Sequence, residues 1–233
     1  RISHPAFQPS GDLPVSSSAV APKGINAFTP TGPQPIPTPR PLELREIPGI
    51  IDAYRRGAIN AQRAGFDGVE IHGANGYLLD QFLQDRSNQR TDDYGGSIAN
   101  RARLLLEVTD AVVGVWGASR VGMHLAPRGD AHDVGDSDRL ATFSHVAHEL
   151  GKRRLAFITA REKPGPDRIG PQLKAAFGGV YVANEGLDFA SANALLAAGE
   201  ADAAAFGRLF IANPDLPRRF AAGAPLNTPD PQT

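Results

Sequence analysis

The chain has 233 residues, 41% of them hydrophobic and 21% charged, enough for one globular domain with a real core. Its 24 basic and 25 acidic residues leave a formal net charge of −1, which argues against nucleic acid or an anionic membrane as the main partner. There are no cysteines, so disulfides, thiolate metal sites, iron–sulfur clusters and cysteine nucleophiles are excluded together. No apolar run approaches the roughly 20 residues of a membrane span, and no charged-then-apolar leader follows Arg1. A cytoplasmic protein is expected, with Arg1 lying inside a longer reading frame.

Ten of the 20 prolines fall before residue 42. Proline lacks an N–H and fixes φ, so this stretch is expected to stay out of any sheet. Residues 1–41 read either as a disordered linker or, given the interspersed Phe7, Leu13, Val15, Ile25 and Phe28, as an extended, strandless segment packed on the scaffold at its functional face. Ile47, Ile50, Ile51, Tyr54, Ala58 and Ala61 recur at helical spacing, with Pro48 near the start and Gly65 past the end, which predicts a helix over 47–64. Strands are predicted at 66–72, 120–125, 155–159, 180–183 and 203–206. Helices are predicted at 98–114, opened by Ser97 as N-cap, and at 137–150, 169–177, 189–198 and 215–221.

Strict alternation of strand and helix with short connections implies parallel strands joined by right-handed crossovers. A doubly wound sheet would carry a phosphate loop after its first strand. Neither G-x-G-x-x-G, G-x-x-x-x-G-K-[ST] nor G-x-S-x-G occurs in the chain. The phosphate-type sequence stands instead at the last strand, as in a (β/α)8 TIM barrel, which makes these the last five of eight units in a single domain.

In such folds the polar residues at strand C-termini line the site. The first predicted strand ends in His72-Gly73-Ala74-Asn75-Gly76-Tyr77, where two hydrogen-bond donors and a phenol can converge on one substrate oxygen. A polar strand-end turn with Tyr77 in the core is the alternative. His145 and His148 are spaced i, i+3 on a helix but lack a third ligand. His132, Asp133 and Asp136 read as part of a helix-capping region. Arg86, Arg90, Arg101 and Arg103, around the Tyr94-Gly95-Gly96 turn, read as surface ion-pairing residues.

Residues 72–83, residues 88–101 and the run Gly207-Arg208-Leu209-Phe210-Ile211-Ala212-Asn213-Pro214-Asp215-Leu216 together resemble the Old Yellow Enzyme family of FMN-dependent ene-reductases. The opening Arg1-Ile2-Ser3-His4-Pro5 is similar to the stretch after that family's third barrel strand. The resemblance implies FMN at the C-terminal mouth of the barrel, reduced by NADPH or NADH, and small activated alkenes as substrates. It implies that His72 and Asn75 bind the substrate carbonyl or nitro oxygen and that Tyr77 protonates the α-carbon. A phenol holds its proton at neutral pH, which suits that role.

Gly207 and Arg208 would take the flavin phosphate, with backbone N–H groups of Asn184 and Glu185 completing the cradle and the Glu185 side chain turned away. The family usually has arginine where this chain has His124, at the pyrimidine edge of the flavin, and Arg128 is a candidate for the missing charge. The rival expectation is a cofactor-free barrel fragment, inactive or completed by a separate N-terminal chain. Five strands of eight would leave two open edges, favouring self-association.

Overall fold

The computed structural model describes residues 1–128 and 131–230. Its centre is a five-stranded parallel sheet built from β5 (Val69–Gly73), β6 (Val121–Leu125), β7 (Phe157–Arg161), β8 (Val180–Asn184) and β9 (Ala203–Ala205), in consecutive order. It is preceded by β1 (Val15–Ser16), β2 (Asn26–Thr29), β3 (Gly32–Pro35), β4 (Arg40–Pro41) and α1 (Ile47–Arg63). The crossovers carry α2 (Leu78–Leu83) and α3 (Ile98–Trp116), α4 (Arg139–Lys152), α5 (Gly170–Phe177) and α6 (Phe189–Ala197); α7 (Arg208–Ala212) and α8 (Leu216–Ala222) follow β9. Among the described residues no helix is long and apolar enough to cross a membrane.

The sequence-predicted elements appear within a few residues of their expected bounds, and Ser97 caps α3 by accepting from the Asn100 N–H. The proline-rich segment departs from expectation. It is not strandless, because β2 and β3 form an antiparallel hairpin with Pro33 opposite Phe28 and Pro35 opposite Asn26. A two-stranded ribbon is all edge, so a strand can tolerate residues without an N–H on its unpaired side. The hairpin is not part of the five-stranded sheet.

Segment 1–42 is tied to the loops at the C-terminal ends of β5 and β6. Ser16 Oγ donates to Gln81 Oε1 (3.0 Å), Ser17 Oγ donates to the Gln81 and Ser87 carbonyls, and the Lys23 N–H donates to Asp133 (2.9 Å).

Side chains alternate across a strand, so residues two apart share a face. Ile71, Met123, Leu125, Ile158, Ala160, Tyr181 and Ala183 are buried in the core shared with the helices. The opposite face carries one row of His72, His124, Thr159, Val182 and Ala203, and above it Arg161, Asn184 and Ala205. This is the face that bears the polar chemistry.

Arg86 keeps its surface reading, exposed and paired with Asp133 at 3.8 Å, but two members of the arginine cluster depart from it. Arg101 is buried, donating to the Leu83 and Gly96 carbonyls, to Thr142 and to Asp136 (2.9 Å), whose side chain is fully buried. Arg90 is largely buried against Asp92, Phe82 and the carbonyls of Ser17 and Leu42. Arg101 thereby anchors the loop that brings His132 to the site. Arg101→Met should cost about 3–5 kcal/mol by leaving the buried Asp136 carboxylate without its cation, though still hydrogen-bonded to Thr142 and the Asp85 and Asp138 N–H groups. Urea unfolding measures this, and an unmoved midpoint would contradict the structural role.

Candidate active site

Strand β5 ends in a turn whose geometry is imposed from both sides. Asn75 sits at φ 59° and Gly76 at φ 73°, left-handed conformations that Asn and Gly adopt at least cost. A Cβ on Gly76 would lie 2.8 Å from His132 Cβ and 3.0 Å from the Ala131 carbonyl oxygen, so packing demands glycine as well. The Gly76 N–H donates to Asp80 Oδ2 (2.8 Å) and its carbonyl accepts from Gln81 Nε2 (2.6 Å). Both partners are buried, on the short helix α2 that follows at once. Burial pushes the Asp80 carboxyl up to about 7 against the donation from Gln84 and Gly76.

The turn presents His72, Asn75 and Tyr77 together. The His72 and Tyr77 rings are 5.6 Å apart, and Tyr77 is exposed rather than a core residue. On its other side Tyr77 meets the edge of His132 at 5.3 Å, and His132 Nδ1 lies 2.6 Å from the Asn75 carbonyl oxygen. His132 therefore buttresses the turn, a contact that spacing alone does not disclose. Helix α4 is capped by Asp138, whereas Asp136 is the buried partner of Arg101. Among the described residues no group of three or more potential ligands could hold a metal, including around His145 and His148.

His124 stands beside His72 with ring centroids 5.2 Å apart. Burial, helped by His72 and Arg161, lowers its pKa to about 4, so the imidazole is neutral at physiological pH. Its Nε2 is buried and has no hydrogen-bond partner among the described residues. Arg128 is engaged elsewhere, with Asp167 (3.0 Å) and the Lys163 carbonyl. The cation acting on His124 is Arg161, at the end of β7, which the sequence reading did not single out.

At the other end of the sheet, Arg161, Asn184, Glu185, Gly207 and Arg208 line one cavity of about 490 Å³. Asn184 Nδ2 donates to the Ala205 carbonyl (2.9 Å), fixing the β8 end to β9. Gly207 is the N-cap of α7 at φ −96°, and nothing among the described residues lies within 4 Å of where its Cβ would be. Neither the backbone nor a described neighbour requires glycine there, and Gly207 lines the cavity. Arg208 is exposed at its rim, and the Glu185 carboxylate points to Arg161 Nε at 2.6 Å.

A guanidinium at a cavity rim, an unsatisfied buried imidazole nitrogen and strand-end amides are donors suited to a phosphate and to the carbonyl- and nitrogen-edged ring of a flavin. These residues fit FMN.

Comparison with known proteins agrees with that donor set. The model of the NADH:flavin oxidoreductase / NADH oxidase family matches residues 7–227. The 12-oxophytodienoate reductase 1 of Oryza sativa subsp. japonica is 45% identical over 245 residues, covering 100% of this chain and 62% of that protein. A structure of morphinone reductase in complex with tetrahydroNAD superposes with a TM-score of 0.95 at 45% identity, covering 100% of this chain and 66% of the other. The Old Yellow Enzyme homologue from Zymomonas mobilis gives 0.92 at 40% identity, with 96% and 65% covered. The chain thus spans a little under two thirds of the length of these relatives, and its five β-α units correspond to part of their (β/α)8 barrel. The chain belongs to the NADH:flavin oxidoreductase / NADH oxidase family, within the Old Yellow Enzyme group.

Proposed function

We propose that this chain forms the catalytic mouth of an FMN-dependent ene-reductase. The observation that carries the reading is the convergence of His72, Asn75 and Tyr77 on one clamped turn, beside a buried, unpartnered His124 nitrogen and a cavity rimmed by Arg208. When bound, FMN supplies hydride taken from NADH or NADPH to the β-carbon of an α,β-unsaturated carbonyl or nitro compound. Arg208 and the backbone at Gly207, Asn184 and Glu185 would hold the phosphate, and His124 Nε2 would offer the ring a hydrogen-bonding nitrogen.

His72 and Asn75 donate hydrogen bonds to the substrate oxygen and stabilise the negative charge that develops there. Burial lowers the His72 pKa despite the opposing pull of Glu70, which favours a neutral, directional donor over a cation. Tyr77, exposed to the mouth, delivers the proton to the α-carbon. In this reading the two open edges of the sheet, at β5 and β9, are met by further strands of the barrel, in the same polypeptide or in a partner chain.

The test is the yellow colour of the purified protein and its oxidation of NADH or NADPH in the presence of cyclohexenone. His72→Ala and Asn75→Ala should each weaken cyclohexenone binding by roughly tenfold, the scale of a lost hydrogen bond to developing charge. A flavin-free protein in which neither substitution alters ligand binding would favour the inactive-fragment reading instead.

A further inference from the structure

Arg161 is the last residue of β7, on the inward face, two positions beyond Thr159 and level with Asn184. Its guanidinium spans the mouth. Nε donates to Glu185 Oε2 at 2.6 Å, and one terminal nitrogen donates to Asn75 Oδ1 at 3.2 Å. These contacts reach 24 residues forward to the β8–α6 turn and 86 residues back to the β5 turn. Both ends are conformationally special, since Asn75 and Glu185 are non-glycine residues at φ 59° and 89°. Positive φ at Glu185 is costly for such a side chain and persists where the surroundings enforce it.

The chemistry of the Asn75 contact is directional. Arginine carries only donors, so the atom of the Asn75 amide that faces it must be the oxygen. The amide NH₂, a donor, is then turned to the other side. A carbonyl or nitro oxygen needs that donor; an amide turned the other way would present a second oxygen to it and repel it. Arg161 is only partly exposed, and its ion pair with Glu185 restrains the guanidinium from swinging away.

We propose that Arg161 is a positioning residue that sets the orientation of the Asn75 amide and, through Glu185, couples the substrate-anchoring turn to the cavity rimmed by Arg208. The proposal rests on the ene-reductase reading for the identity of the ligand at Asn75. It adds a residue that touches neither reacting carbon, acts through Asn75, and makes substrate affinity depend on the β8–α6 turn.

A double-mutant cycle on the FMN-loaded protein tests it, with the cyclohexenone dissociation constant read from the flavin absorbance change. Arg161→Met should raise that constant about tenfold in the wild-type background and leave it unchanged in the Asn75→Ala background, because the amide through which it acts is gone. Glu185→Gln should give a smaller rise of the same kind. Arg161→Lys keeps the charge but has no planar fork to hold both partners, so it should fail to restore enone affinity. It also covers the case in which Arg161→Met does not fold.

Full additivity of Arg161→Met and Asn75→Ala, or complete rescue of enone affinity by lysine, would overturn the positioning role. A wild-type protein that takes up FMN but binds no enone would instead overturn the functional reading beneath it, and the proposal with it.

Discussion

Tyr77→Phe should leave cyclohexenone binding within about twofold of wild type and slow reoxidation of the reduced flavin by the enone about a hundred- to ten-thousand-fold, the range supplied by a positioned general acid. The geometry gives the reason for the split. Tyr77 is exposed to the mouth and packs by its ring against His72 and His132, so removing one oxygen disturbs neither neighbour. The hydrogen bonds assigned to substrate anchoring come from His72 and Asn75, which the substitution does not touch. Stopped-flow measurement of the two half-reactions separates the alternatives. If reduction by the nicotinamide slowed instead, the phenol would not be the proton donor.

Arg208→Ala should weaken FMN retention by about 1.5–3 kcal/mol, the scale of a charge-assisted hydrogen bond, or roughly ten- to 150-fold in the dissociation constant. Arg208 stands at the rim of the cavity that Gly207 leaves open, and its side chain is exposed. The substitution removes charge without opening the core, so the unfolding midpoint should stay put while FMN is lost on ultrafiltration. An unchanged FMN dissociation constant would move the phosphate away from the β9 end.

The alternating units were legible because the longer helices, α1, α3 and α4, carry an apolar stripe of period near 3.6 and the strands are short apolar runs between them. The strand-end rule then drew attention to the turn of residues 72–77 and to residues 207–208. Three features escaped it. The β2–β3 hairpin was hidden because prolines in a two-stranded ribbon give up only unpaired hydrogen-bonding positions. Arg161 was hidden by two residues of strand boundary: a strand ended at Thr159 leaves Arg161 in the loop, whereas β7 continues through it and aims it inward. His132 was hidden because its role comes from a tertiary contact across 57 residues.

The clamp on Gly76 has a thermodynamic consequence for recognition. With its N–H held by Asp80 and its carbonyl by Gln81, and Gln81 itself held by Ser16, the peptide between the two functional residues Asn75 and Tyr77 has neither hydrogen-bonding group left for solvent. The ordering entropy of this stretch is lost during folding and not when a ligand arrives. A ligand entering beside it therefore meets a rigid wall on the β5 side, and its binding entropy is set by its own immobilisation and by the water it displaces. Adaptation to ligands of different shape falls to the side chains whose contacts are made at the surface, Tyr77 foremost among them.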